Sequence, residues 1–144
     1  MNVRRHQLSV CLLFILPLIV GAILYYLLCP EVYFVKALDY ILPVSLHIPY
    51  DMMNGWGRLF RNYIFDLLWA LSLMAAVFLA AGDDMGFRKK SIGIASALEI
   101  LLEVIQVIPE IAGTFDICDI LIEIAADVFV ILLLKERVKY EEKE

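Results

Sequence analysis

Four apolar stretches, separated by short polar or mixed segments, organise this chain. Residues 7–30, "QLSVCLLFILPLIVGAILYYLLCP", carry no charge. A bilayer core about 30 Å thick needs about 20 apolar residues of helix, so the pattern predicts a first spanning helix over about 8–29. Pro17 falls inside it, which a membrane helix tolerates at the cost of a bend. A signal peptide is the rival reading, because "MNVRRH" supplies a positive n-region. Against it, "YYLLCP" offers no small-residue cleavage site, Leu28 before Cys29 does not suit a lipoprotein box, and the run outlasts a usual h-region. The segment therefore reads as a retained helix.

A second span is expected at about 63–81, with Ala75, Ala76, Ala80 and Ala81 small enough for close helix contact. A third is expected at about 91–111 and a fourth at about 118–134. "GDDMGFRKK" joins the second to the third as a Gly-punctuated turn, and "PEIAGTFDI" joins the third to the fourth. The predicted fold is all-α: a single polytopic membrane domain over residues 1–144, with four transmembrane helices. Residues 31–62 hold Tyr33, Phe34, Tyr40, Tyr50, Trp56 and Phe60, broken by Pro43 and Pro49. Aromatic side chains favour the membrane–water boundary. A short interfacial helix is expected here, between helices 1 and 2, lying over the external mouth of the bundle. His47 in this loop is expected to be a bystander rather than a ligand.

Basic residues orient the helices. Nine of them (Arg4, Arg5, Arg88, Lys89, Lys90, Lys135, Arg137, Lys139 and Lys143) fall on one side, against Lys36, Arg58 and Arg61 on the other. The positive-inside rule then puts both termini in the cytoplasm, as an even number of spans requires. The expected location is the plasma membrane of a bacterium.

Composition strengthens the membrane reading. The chain is 62% hydrophobic with a mean hydropathy of +0.83, beyond the roughly 45–50% apolar content of soluble domains. Its formal charge of −5 does not describe an acidic surface. Seven carboxylates (Asp66, Glu99, Glu103, Glu110, Asp119, Glu123 and Asp127) lie in the apolar segments, and without them twelve basic residues face ten acidic ones. No basic stripe is present, so nucleic acid is not an expected partner.

Those acids follow a helical rule. In "EILLEVIQVIPE", Glu99, Glu103, Gln106 and Glu110 fall at i, i+4, i+7 and i+11, on one narrow stripe. In the fourth span Asp119, Glu123 and Asp127 recur at i, i+4 and i+8. Asp66 enters the second span one turn from its external end. No span contains a Lys or Arg to pair with them. One ionised carboxylate at mid-bilayer costs about 3 kcal/mol on insertion scales, so the stripes are expected to face inward.

The tight loop makes the third and fourth helices antiparallel neighbours. At about 1.5 Å per residue, Glu103, Gln106, Asp119 and Glu123 then meet in the outer half, joined by Asp66. Glu99 and Asp127 form a deeper level. Glu110 is expected near the membrane edge, because Pro109 disfavours helix at the residue before it. The expectation is an acidic cavity open to the outside, acting in ligand binding or proton exchange. Close carboxylates cannot all be ionised. A hard cation, Ca²⁺ or Mg²⁺, is one candidate occupant at Glu103, Asp119 and Glu123. An amine- or sugar-bearing headgroup is another. Polar glue between helices is the plainer alternative.

"E-V-I-Q" followed by "GTFDICDILIE" resembles the VanZ-like family of small membrane proteins. That family's pattern is Glu-x-x-Gln late in one helix, a tight loop, then an Asp opening the next. Glu103 and Gln106 match the first element and Asp119 the last. "RNYIFDLLWALSL" resembles the family's earlier helix, with Asp66 near its outer end. The resemblance covers about residues 58–134. Two features depart from it. The family's Arg before the loop's hydrophobic pair is replaced by Gly113 or Thr114, and its Asn and Gly after the Asp by Glu123 and Asp127. The named member is linked to teicoplanin resistance, so the resemblance implies a cell-envelope role.

Two functions follow as expectations. One is a VanZ-like envelope protein whose cavity binds a glycolipopeptide, a lipid headgroup or a wall precursor. The other is a small proton- or cation-coupled transporter, working as a homo-oligomer such as a dimer, that uses Glu103, Glu123 and Asp127. An enzyme ranks last. Cys11, Cys29 and Cys118 show no C-x-x-C spacing and read as packing residues, although Cys118 beside Asp119 is a candidate reactive thiol. There is no phosphate loop, H-E-x-x-H or G-x-S-x-G.

Overall fold

The apolar runs become helices in a computed structural model that describes residues 2–41, 46–48, 50–82, 84–108 and 115–141. The helices are α1 (Asn2–Leu28), α2 (Tyr33–Ile41), α3 (Gly55–Ala81), α4 (Met85–Ile105) and α5 (Ile117–Glu141), with a 3-10 turn at Tyr50–Met52. No strand occurs among the described residues. Pro43, Pro49, Glu110, Gly113 and Thr114 lie outside them.

Local chemistry sets the helix ends. Asn54 caps α3 by accepting a hydrogen bond from the Gly57 N–H at 2.8 Å, and Asp84 caps α4 by accepting from Phe87 at 2.9 Å. Such caps satisfy N–H groups that have no partner inside the helix. Gly82 ends α3 with φ of +52°, a conformation open to glycine at little cost. The third helix is as long as the expected 91–111 but begins and ends six residues earlier, because Asp84 caps it ahead of the basic segment. It closes at Ile105, and Gln106, Val107 and Ile108 tighten into i→i+3 bonds onto Glu103, Val104 and Ile105. Pro109 explains the early stop, since it supplies no N–H and disfavours helix just before it.

α3 is the axis of the bundle, packing on α1, α4 and α5, while α4 and α5 also touch each other. Its contact face carries small residues, with Ala70, Ser72, Ala75 and Ala81 all buried. Ser72 Oγ donates to the Phe14 carbonyl of α1 at 2.5 Å. Small side chains of this kind let helix backbones approach closely. Val10, Met74, Phe78, Ala95, Val130 and Leu134 complete an apolar core at one end.

Segment 31–62 contains the expected short helix, α2. It stands beside α1 and α3, its Phe34, Val35 and Leu38 sharing an apolar cavity of about 450 Å³ with Pro17 and Tyr25 of α1 and Phe65 of α3. The apolar face of α2, with Val35 fully buried, decides that position. His47 is a tie rather than a bystander. Its Nε2 meets Asp39 Oδ2 at 2.7 Å and its Nδ1 meets the Tyr26 carbonyl at 3.0 Å. The Tyr26 hydroxyl donates to the other Asp39 oxygen at 2.8 Å. Arg61 secures the other side, donating to the Leu28 carbonyl at 2.8 Å and to Glu31.

α1 from Gln7 to Leu28 and α3 are each long and apolar enough to cross a membrane. α4 and α5 are long enough but more highly charged, α5 because of Asp119, Glu123 and Asp127.

Candidate functional site

Carboxylates from three helices meet on the inner side of the bundle. Asp66 of α3, Glu103 of α4 and Glu123 of α5 each present an oxygen within 4.8 Å of the others. Each helix contributes by simple periodicity. Glu99 and Glu103 are one turn apart on α4, as are Asp119, Glu123 and Asp127 on α5, so each series shares one face. The antiparallel pairing sets the register between them.

Exposure falls along the cluster. Asp66, Gln106 and Asp119 are half-buried. Further in, Glu103 is 6% exposed, Glu123 4%, Asp127 3% and Glu99 2%. Glu123 is the hub, within electrostatic reach of Glu103, Asp66, Asp127 and Asp119. At the inner level Glu99 neighbours Asp127, and the Ser96 hydroxyl donates to Asp127 Oδ2 at 2.5 Å. At the outer level the Gln106 amide donates to Glu103 Oε1 at 3.0 Å.

These bonds leave acceptors over. Glu103 Oε2, Asp119 Oδ1 and Glu123 Oε2 are buried with no hydrogen-bond partner, and the unpaired Glu99 Oε1 and Asp127 Oδ1 belong to carboxyls close enough to share a proton. Among the described residues the ion pairs are His47–Asp39 and Arg61–Glu31, both away from this cluster. Buried polar atoms normally have partners, and an unpaired buried charge costs several kcal/mol. These carboxylate oxygens, gathered in one place, therefore call for protons, a cation or a donor-rich ligand.

All seven residues expected at the site, Asp66, Glu99, Glu103, Gln106, Asp119, Glu123 and Asp127, lie in or beside this cluster. For a metal, the set with converging oxygens is Asp66, Glu103 and Glu123, with Asp119 next to it. The hydrogen-bonding roles of Ser96, Tyr63 and Asp116 were not anticipated. Ser96 precedes Glu99 by three residues and Tyr63 precedes Asp66 by three, the spacing that shares a helix face. Asp116 sits at the start of α5, accepting from the Cys118 N–H at 2.9 Å and from the Tyr63 hydroxyl at 3.2 Å. The Cys118 N–H, helped by Tyr63, holds its carboxyl below the usual range against the upward pull of burial. It thus locks the start of α5, and with it Asp119, against α3.

No family model matches this chain, and neither a curated protein nor a solved structure does.

Proposed function

We propose that this chain is a four-span, VanZ-like protein of the bacterial plasma membrane, with both termini cytoplasmic. Its acidic cluster receives the polar part of an envelope ligand from the outer face. The observation that carries this reading is the convergence of Asp66, Glu103 and Glu123 from three helices, with no basic partner among the described residues. An amine or a hydroxyl-rich headgroup supplies the donors those oxygens lack.

The distribution of side chains supports the membrane part. Leu98, Leu101 and Leu102 on α4, and Leu121, Val128, Phe129 and Leu132 on α5, are exposed, while Glu99, Glu103, Glu123 and Asp127 are buried. Water favours the reverse, whereas hydrocarbon favours this arrangement, so α4 and α5 are read as spans beside α1 and α3. The half-buried end at Asp119, Asp66 and Gln106 is the entrance. The motif of Glu103, Gln106 and Asp119 supplies the link to the envelope.

The test is teicoplanin and vancomycin susceptibility in a sensitive Gram-positive host expressing the protein or its Glu103→Gln variant at matched membrane levels. Selective protection by the wild type, lost in the variant, is expected. No protection from a correctly inserted wild type would overturn the envelope role.

One feature favours a second reading. The carboxylates continue from half-buried Asp119 to Glu99 and Asp127, a series through which protons or cations pass in a coupled transporter. Proton-driven flux in vesicles, abolished by Asp127→Asn, is the outcome that would select it.

A further inference from the structure

We propose that Asp66, Glu103 and Glu123 form a binding site for a hard divalent cation, with Ca²⁺ the best fit. The donor set decides the class. All three side chains are carboxylates, with no His or Cys among them. Oxygen-only sites suit Ca²⁺, Mg²⁺ and Mn²⁺ rather than soft or nitrogen-preferring metals.

Coordination geometry then separates the hard ions. The three oxygens lie within 4.8 Å of one another, close enough to reach one ion after small side-chain adjustments. Ca²⁺ tolerates an irregular carboxylate set, whereas Mg²⁺ demands near-ideal octahedral geometry.

The unsatisfied atoms point the same way. Glu103 and Glu123 are more than nine-tenths buried, and each holds an oxygen, Oε2, with no hydrogen-bond partner. Glu103 Oε1 is already engaged by Gln106, which orients the carboxylate and leaves Oε2 for an ion. A polar neighbour that orients a metal ligand in this way is a regular part of metal sites. Ca²⁺ takes about six to eight oxygens, so three carboxylates leave positions for water or for oxygens of a bound headgroup. A cation there also joins α3, α4 and α5. The proposal rests on the reading of this cluster as a ligand site, and it specifies the first ligand.

The experiment uses the full chain in detergent, stripped with EDTA and titrated with Ca²⁺, Mg²⁺ or ionic-strength-matched K⁺. Thermal stability and Tb³⁺ luminescence are followed, the latter excited through Trp69, about one turn from Asp66 on α3. A saturable Ca²⁺-dependent rise in Tm is expected, together with Tb³⁺ binding that Ca²⁺ displaces. Asp66→Asn, Glu103→Gln and Glu123→Gln each weaken affinity about tenfold or more, whereas Asp39→Asn retains it. A wild type that responds to Ca²⁺ no more than to K⁺ overturns the proposal, and so do site variants that bind as tightly as wild type. Should the site variants fail to fold, the comparison of Ca²⁺ with K⁺ on the wild type still decides. Glycopeptide protection without cation binding sinks the cation alone. Cation binding without protection sinks the envelope role alone.

Discussion

Glu103 of α4 and Glu123 of α5 hold carboxylate oxygens within 4.8 Å of each other and of Asp66, and no basic side chain pairs with them among the described residues. Like charges are brought together here by the alternative each helix faces. The opposite sides of α4 and α5 carry exposed Leu98, Leu102, Leu121 and Phe129. In the proposed membrane setting, turning either helix would place its acids in hydrocarbon and its leucines in the bundle.

The crowding should be visible as stability. With divalent cations chelated, Glu123→Gln removes a like charge from the hub and keeps the side chain's shape. A gain of about 1 kcal/mol, or about 4 °C in Tm, is expected. A thermal melt in EDTA checks it, and a lower Tm would contradict the repulsion.

The α1–α3 contact depends on a small residue. Ser72 is 1% exposed and donates to the Phe14 carbonyl. Ser72→Ala loses one interhelical hydrogen bond, about 0.6 kcal/mol in membrane helices. Ser72→Leu must also separate the helices, at about 1–3 kcal/mol. Chemical or thermal unfolding in detergent should rank them in that order, with Ser72→Leu the less stable.

The loop clamp should weaken in acid. Burial pulls the Asp39 carboxyl upward, but hydrogen bonds from Tyr26 and His47 outweigh it and hold the group below the usual aspartate range. A depressed folded value means the clamp contributes fully above the unfolded value of about 3.9. That contribution is lost as pH falls through the lower folded value. Proteolysis within residues 42–54 should therefore accelerate at low pH, using an acid-active protease. Asp39→Asn should show the faster cleavage already at neutral pH, and equal rates for both proteins would rule the clamp out.

Topology can be read by labelling. In a chain whose cysteines are replaced by serine, Met52→Cys should react with an impermeant maleimide on intact cells. Lys89→Cys should react only after permeabilisation. Met52 is 80% exposed, so failure to label from outside would place the 31–62 segment on the other face.

Much of this was legible in the chain itself. The apolar runs determined the helices, because a helix needs only local hydrogen bonds and a lipid-compatible surface. The i, i+4 recurrence of Glu99 with Glu103, and of Asp119 with Glu123 and Asp127, determined which acids share a face. Helix ends were less legible: α4 runs six residues ahead of the expected 91–111 at both ends, because the Asp84 cap draws the basic segment into its first turns and Pro109 bars its continuation. Tertiary structure alone decided the rest. It chose Asp66 rather than Asp119 as the third oxygen converging with Glu103 and Glu123, set α2 beside α1 and α3, and made His47 a tie to Asp39. The physical reason is common to all three. Periodicity specifies the face on which a side chain lies, whereas the rotation and register of one helix against another depend on packing among residues distant in the chain.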